Sequence, residues 1–198
     1  MTTLALECST PLGSIAARRD GAEIFSESFR AERGHGPALF AALERALNAA
    51  GHCERVVVGL GPGSYSGVRI AVAAAIGLEF GLGCSLLGIP SIVAIRTGEY
   101  IAVGDARRRQ FFRAHIRDGL LLEAPVLLSP DELKQRLAVE SLPVFASAPI
   151  EGLPGIGIAS PSAEILARLG ELEHGIIAEG TLEPMYLRAP HITQPRVA

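Results

Sequence analysis

Seven residues, Gly61-Pro62-Gly63-Ser64-Tyr65-Ser66-Gly67, have the composition of a loop that acts through its backbone. Glycines admit positive φ and close approach. A helix beginning behind them presents unpaired N–H groups, which together suit an anion such as phosphate. Two familiar fingerprints nevertheless fail. A Walker loop needs Lys and then Ser or Thr after its last glycine, whereas Val68-Arg69 follow Gly67. A G-x-G-x-x-G loop would need glycine where Ser66 stands. Two readings stay open: a phosphate cradle assisted by Arg69, or a tight turn that lets a strand and a helix pack.

Other candidates are fewer. Arg107-Arg108-Arg109, with Arg113 and Arg117, form the one local positive excess, read either as a solvated turn or as an RNA-facing patch. Phe111 and Phe112 read as core and edge residues before base-stacking platforms. His35, His52, His115, His174 and His191 show no paired ligand spacing. The 3 cysteines, Cys8, Cys53 and Cys84, are far apart and form no C-x-x-C, which disfavours a zinc site or disulfide framework and fits a reducing compartment.

The elements that must position these residues follow from pattern. The chain of 198 residues is 48% hydrophobic and 20% charged, a globular balance. Aromatics are only 5%, so the core is expected from Ala, Val, Ile and Leu on a parallel or mixed sheet. A net charge of −3 is unlike that of a protein holding nucleic acid alone. Leu4–Ser9, Ser14–Arg18 and Glu23–Phe29 read as a meander, with Asp20-Gly21 as a hairpin turn. A helix is expected from Gly36-Pro37 to about Ala50, with Leu39, Phe40, Leu43 and Leu47 on one stripe and Gly51 as C-cap. Val56–Gly59 reads as a buried strand, about Val68–Gly81 as a helix, Leu86–Ile89 as a strand, and Pro90-Ser91 as the start of another helix. The order then restarts: Tyr100–Gly104, Gln110–Ile116 and Leu120–Leu128 read as strands, Pro130–Ala138 as a helix, Pro143–Ala146 as a strand and Ser162–Leu172 as a helix. This predicts a duplicated β-β-β-α-β-α unit: a first lobe over 1–97, a reduced second lobe over 98–188 and a mobile tail over 189–198.

The helix after the glycine loop is apolar nearly all round, from Ile70, Ala71, Val72, Ala73, Ala74, Ala75 and Ile76 to Gly77 and Leu78. It is either buried on every side or completes its burial against another protein. Arg69, Glu79 and its small residues favour a soluble helix over a spanning one. Met1-Thr2-Thr3 leads straight into a strand with no basic n-region, so a cytoplasmic protein without membrane contact is expected.

Gly59-Leu60-Gly61-Pro62-Gly63-Ser64-Tyr65-Ser66-Gly67-Val68-Arg69 resembles the G-x-G-P-G-S-F/Y-T/S-G-x-R signature of the TsaB (YeaZ) family. Three further stretches match in order: Leu4-Ala5-Leu6-Glu7-Cys8-Ser9-Thr10, Asp105-Ala106-Arg107 and Pro184-Met185-Tyr186-Leu187-Arg188. The resemblance implies an α/β, actin-like/Hsp70-like (ASKHA) fold of two lobes. It implies a role in forming N6-threonylcarbamoyladenosine (t6A) at position 37 of tRNAs reading ANN codons. There a TsaB-type chain binds and supports TsaD, with TsaE joining, and free chains form homodimers through the first-lobe helices. Leu39, Leu43, Leu47, Val68, Ile70, Ala71, Ala74, Gly77 and Leu78 are the interface residues this suggests.

The same resemblance points away from catalysis. TsaD-type relatives hold a metal with H-x-x-x-H, and four residues after His35 stands Leu39. Kinases of this fold use a first-strand Asp, where Glu7 is one methylene longer and Cys8 follows it. Glu7, Ser9, Thr10, Gly61, Gly63, Ser64 and Asp105 are the candidates for a nucleotide held weakly or at a shared interface. No catalytic residue, metal or required cofactor is expected. Asp105 has the alternative of a turn cap or ion pair with Arg107. The rival function is an independent ATPase or small-molecule kinase of the same fold. A peptidase lacks both a metal pair and a Ser/His/Asp set.

Overall fold

The computed structural model describes residues 1–31, 34–172, 176–177 and 182–187. His174, Arg188, His191 and the expected tail over 189–198 lie outside the described residues. The expected meander forms as β1 (Thr2–Glu7), β2 (Leu12–Arg19) and β3 (Ala22–Arg30), followed by α1 (Gly36–Ala50), β4 (Arg55–Gly59), α2 (Tyr65–Leu82) and β5 (Ser85–Ile89). The second half supplies β6 (Glu99–Asp105), β7 (Phe111–Arg117), β8 (Leu120–Leu128), α3 (Pro130–Ala138), β9 (Val144–Ala146), β10 (Gly157–Ile158), α4 (Ala163–Glu171) and β11 (Ile176–Ile177).

These strands make two mixed sheets, ordered β11-β5-β4-β1-β2-β3 and β10-β9-β6-β7-β8. In the first sheet β1, β4 and β5 are parallel, and β1, β2 and β3 are antiparallel. Central parallel strands are covered on both faces, so β1 is buried throughout. Alternation sorts its side chains. Leu4 and Leu6 face the core shared with α1 and α2, while Ala5 faces the core shared with α4 and the second sheet. That second core includes Tyr100, Ala102, Phe112, Ala114 and Ile116, so one hydrophobic layer lies between the sheets. Tyr100 Oη donates to the Ile92 carbonyl at 2.7 Å, and burial pushes its phenol up to about 12.

Several expectations change. The helix expected at Pro90-Ser91 is a single 3₁₀ turn over Ser91–Ala94. Gly98, at φ +87°, then turns the chain directly into β6. α2 starts at Tyr65 rather than Val68, because the Ser64 hydroxyl accepts the Gly67 N–H at 3.2 Å as an N-cap. β10 and β11 have only two residues each, too short to carry a period. The C-terminal part does not stay with the second sheet. α4 packs beneath β1, β2 and β4, and β11 pairs antiparallel with β5. The Ala163 N–H donates to Ser14 Oγ at 3.0 Å, across 149 residues of sequence.

Candidate functional site

The end of β1, the glycine loop and the 3₁₀ turn converge at one corner of the first sheet. Glu7, Ser9 and Thr10 are all buried there, which the position of Glu7 on a fully covered central strand dictates. Glu7 Oε1 accepts the Ser9 N–H at 2.5 Å, and Oε2 has no hydrogen-bond partner. A Cβ at Gly59 would overlap Glu7 Oε2 and crowd the Ser91 hydroxyl, so glycine at 59 is what makes room for the longer acid. Burial raises the carboxyl above its ordinary range, outweighing the Ser9 and Ser91 hydroxyls and the Ser9 amide that pull it down.

The loop closes on the chain itself. Gly61 N–H donates to Ser91 Oγ at 2.9 Å, Ser64 N–H to the Ser9 carbonyl at 2.7 Å, and Gly67 N–H to Ser64 Oγ. A Cβ at Gly63 would overlap the Ser9 carbonyl, and one at Gly67 would meet the Cys8 carbonyl and the His35 ring. His35 Nε2 donates to the Thr10 carbonyl at 2.8 Å, so this histidine fastens the start of α1 to the end of β1. The glycines are therefore close-packing residues, and three of the N–H groups a phosphate would use already have partners.

Glu7, Ser9, Thr10, Gly61, Gly63 and Ser64 are thus brought together. No hydrogen bond or ion pair among the described residues joins Asp105 to them. It lies exposed at the end of β6, where its carboxylate accepts the Arg107 N–H at 2.7 Å and pairs with the Arg107 guanidinium at 3.5 Å. Both alternatives named for Asp105, turn cap and ion pair, are realised. Arg107, Arg108 and Arg109 have φ of 64°, 55° and 58°, a left-handed run that costs a non-glycine residue about 1–2 kcal/mol at each position. Arg113 and Arg117 leave the basic cluster, because Arg113 pairs with Glu123 and Glu140 at 2.7 Å each and Arg117 with Glu99 at 2.7 Å. Phe112 is core, and Phe111 is half-buried against the apolar side of α3's sheet face. Cys53 and Cys84, distant in sequence, meet beside the starts of β4 and β5; burial pushes the Cys53 thiol up to about 11.

The helices need a correction. α2 buries Gly67, Val68, Ala71, Val72 and Ala75 and is not covered on every side. Of the suggested interface residues, Leu39, Leu43, Val68 and Ala71 are spent on the chain's own core, and Leu47, Ile70, Ala74 and Leu78 pack partly against it. Gly77 is exposed, and a Cβ there would touch nothing within 4 Å. The outward apolar groups are Phe40, Tyr65, Leu82 and Phe80, the last 87% exposed. By length and composition alone α2 could cross a membrane, with 28% of that window buried. Sequence reasoning also missed an aromatic cluster at the start of α2. Tyr65 and Tyr186 rings lie 5.6 Å apart, and the Arg69 guanidinium sits 5.1 Å from the Tyr65 ring. Both tyrosines belong to matched motifs, which was the available signal. Among the described residues no three His, Cys, Asp or Glu side chains gather as a metal site.

Residues 29–119 match the family model for TsaD, tRNA N6-adenosine threonylcarbamoyltransferase. An uncharacterized Mycobacterium tuberculosis protein, Rv3421c, is 30% identical over 201 residues, covering 96% of this chain and 92% of that protein. The tRNA threonylcarbamoyladenosine biosynthesis protein TsaB of Haemophilus influenzae is 24% identical over 222 residues, covering 95% and 94%. YeaZ from Pseudomonas aeruginosa superimposes with a TM-score of 0.73 at 25% identity, covering 94% of this chain and 99% of that one. The two-sheet α/β architecture is therefore the one that YeaZ has. With the glycine signature set as the close-packed turn before α2 and full-length likeness in both sequence and structure, the chain belongs to the TsaB (YeaZ) family.

Proposed function

We propose that the chain is a non-catalytic scaffold subunit of the assembly that forms t6A at position 37 of tRNAs reading ANN codons. In this reading it binds and supports a TsaD-type transferase, TsaE joins the assembly, and the free chain forms a homodimer. Contact with tRNA is indirect, through the complex. The observation that carries the proposal is the outward face of α2, where Phe80, Leu82 and the open Gly77 present apolar surface that no other described residue covers. Small residues at Ala73, Gly77 and Gly81 let another helix approach closely. Family membership supports the tRNA-modification role.

The buried Glu7 and the internally satisfied glycine loop support a partner over an independent ATPase or kinase, and the reading requires no cofactor. Mg-ATP would be a weak ligand or one completed at a shared interface. The test is size-exclusion chromatography of the purified chain with its TsaD-type partner, with and without ATP. Co-elution is expected, and separate elution under both conditions would refute the proposal.

A further inference from the structure

We infer that the Arg107–Arg109 turn is a contact for a single phosphodiester of RNA; this rests on the tRNA reading above. The turn joins β6 to β7, and three successive arginines hold left-handed backbone there. Such a run persists only where neighbouring bonds over-determine it. Here the Ala106 N–H donates to the Gln110 carbonyl at 2.9 Å, the Gln110 N–H to the Arg107 carbonyl at 3.1 Å, and the Arg107 N–H to Asp105. The loop is thus pinned at its base, while all three arginine side chains stand exposed.

The charges sort the ligand. Arg113 and Arg117 are neutralised by glutamates. Arg107 is partly neutralised by Asp105, and among the described residues Arg108 and Arg109 have no ionic partner. The turn borders a surface pocket of about 450 Å³ lined by Asp105, the three arginines, Phe111, Pro149, Ile150 and Glu151. Two carboxylates against three guanidiniums leave one net positive charge. That matches one phosphodiester and is a poor match for a nucleoside triphosphate. Guanidinium forks suit phosphate oxygens. The apolar wall of Phe111, Pro149 and Ile150 offers a surface for the adjoining sugar or base.

The test is anisotropy of a labelled, unmodified tRNA transcript reading an ANN codon, titrated with the full chain in complex with its TsaD-type partner across a range of KCl. For Arg108→Glu/Arg109→Glu the dissociation constant should rise about tenfold or more, and the slope of log K against log[KCl] should fall by about one, for the one phosphate lost. Arg108→Lys/Arg109→Lys should keep most of both. Unchanged affinity and slope in the Glu variant would overturn the inference. So would loss of co-elution with the partner, which would make the turn a protein contact, or displacement of the tRNA by millimolar ATP. If the wild type fails to co-elute, the functional proposal falls by itself. The same titration on the isolated chain then decides the turn, and salt-insensitive binding, or none, overturns it.

Discussion

Replacing Glu7 with Gln tests whether the acid at the end of β1 is a buried structural carboxyl. Glu7→Gln keeps an oxygen for the Ser9 N–H, and it places an amide NH₂ where the unpartnered Oε2 lies. Ser91 Oγ accepts one hydrogen bond, from Gly61, and has a lone pair left for that amide. Burial holds the native carboxyl above its ordinary range, so the native chain keeps its proton at pH values where the unfolded chain has lost it. A group shifted upward contributes stability that is complete below the unfolded pKa and is lost as pH rises through the native one. Wild-type stability should therefore fall between about pH 4.5 and the raised native pKa, and the Gln variant should lack that slope. Above it, removing an ionised oxygen with no partner is worth about 1–3 kcal/mol. The assay is urea denaturation followed by circular dichroism at about pH 5 and about pH 8. Glu7→Gln should be more stable at the higher pH, with the difference shrinking at the lower. A variant that is less stable at the higher pH, or shifted equally at both, would refute the reasoning and point to an ionised Glu7 compensated by a cation.

Other perturbations separate packing from partner contact. Gly77→Arg adds a side chain where nothing lies within 4 Å of the new Cβ, so it should gain up to about 1 kcal/mol of helix stability in thermal melts while abolishing co-elution with the TsaD-type partner. Gly67→Ala should cost about 1–3 kcal/mol in the same melts, because the methyl meets the Cys8 carbonyl and the His35 ring; a neutral result would show that α1 shifts freely. Ser129→Ala removes a complete capping box from α3 and should cost about 1 kcal/mol, read as a lower urea midpoint at unchanged slope. Asp105→Ala should change stability by less than about 1 kcal/mol, since its pair with Arg107 is exposed. Calorimetry with Mg-ATP should give no micromolar binding before or after that change, and micromolar binding lost in the variant would favour the kinase reading.

The regular elements were legible wherever a local rule fixed them. Asp20-Gly21 and Asp118-Gly119 form the hairpin turns their types demand, with positive φ at all four residues. α1 and α3 run over Gly36–Ala50 and Pro130–Ala138, where Pro near the N-terminus and, for α3, a capping serine mark the start. The misses share a cause, which is that burial partners are not local. Nothing near α4 says that its apolar stripe covers β1, β2 and β4. Nothing in the all-apolar pattern of α2 distinguishes a helix covered on one face from one covered on all. The site was legible as a cluster of residue types and not as an environment. Glu7, Ser9 and the glycines do meet, but their burial depends on Ser91 and His35, which are distant in sequence. The arginine run read as uniformly basic because the glutamates that neutralise Arg113 and Arg117 come from other positions in the sheet and the loop after α3.

The return of the C-terminal segment to the first sheet sets an order on synthesis. β1 leaves the ribosome well before α4, which covers Ala5 and Val57 and ends only at Glu171. At roughly 5–20 residues per second, that sheet face waits on the order of ten to thirty seconds for its cover. Until then the nascent chain displays an apolar β surface on the sheet face opposite α2. A chain stopped after the first lobe would keep that exposure permanently. Translation products stalled before α4 should therefore be substrates for chaperones that bind apolar strands, and chains extended past α4 should escape them once Ala163 reaches Ser14.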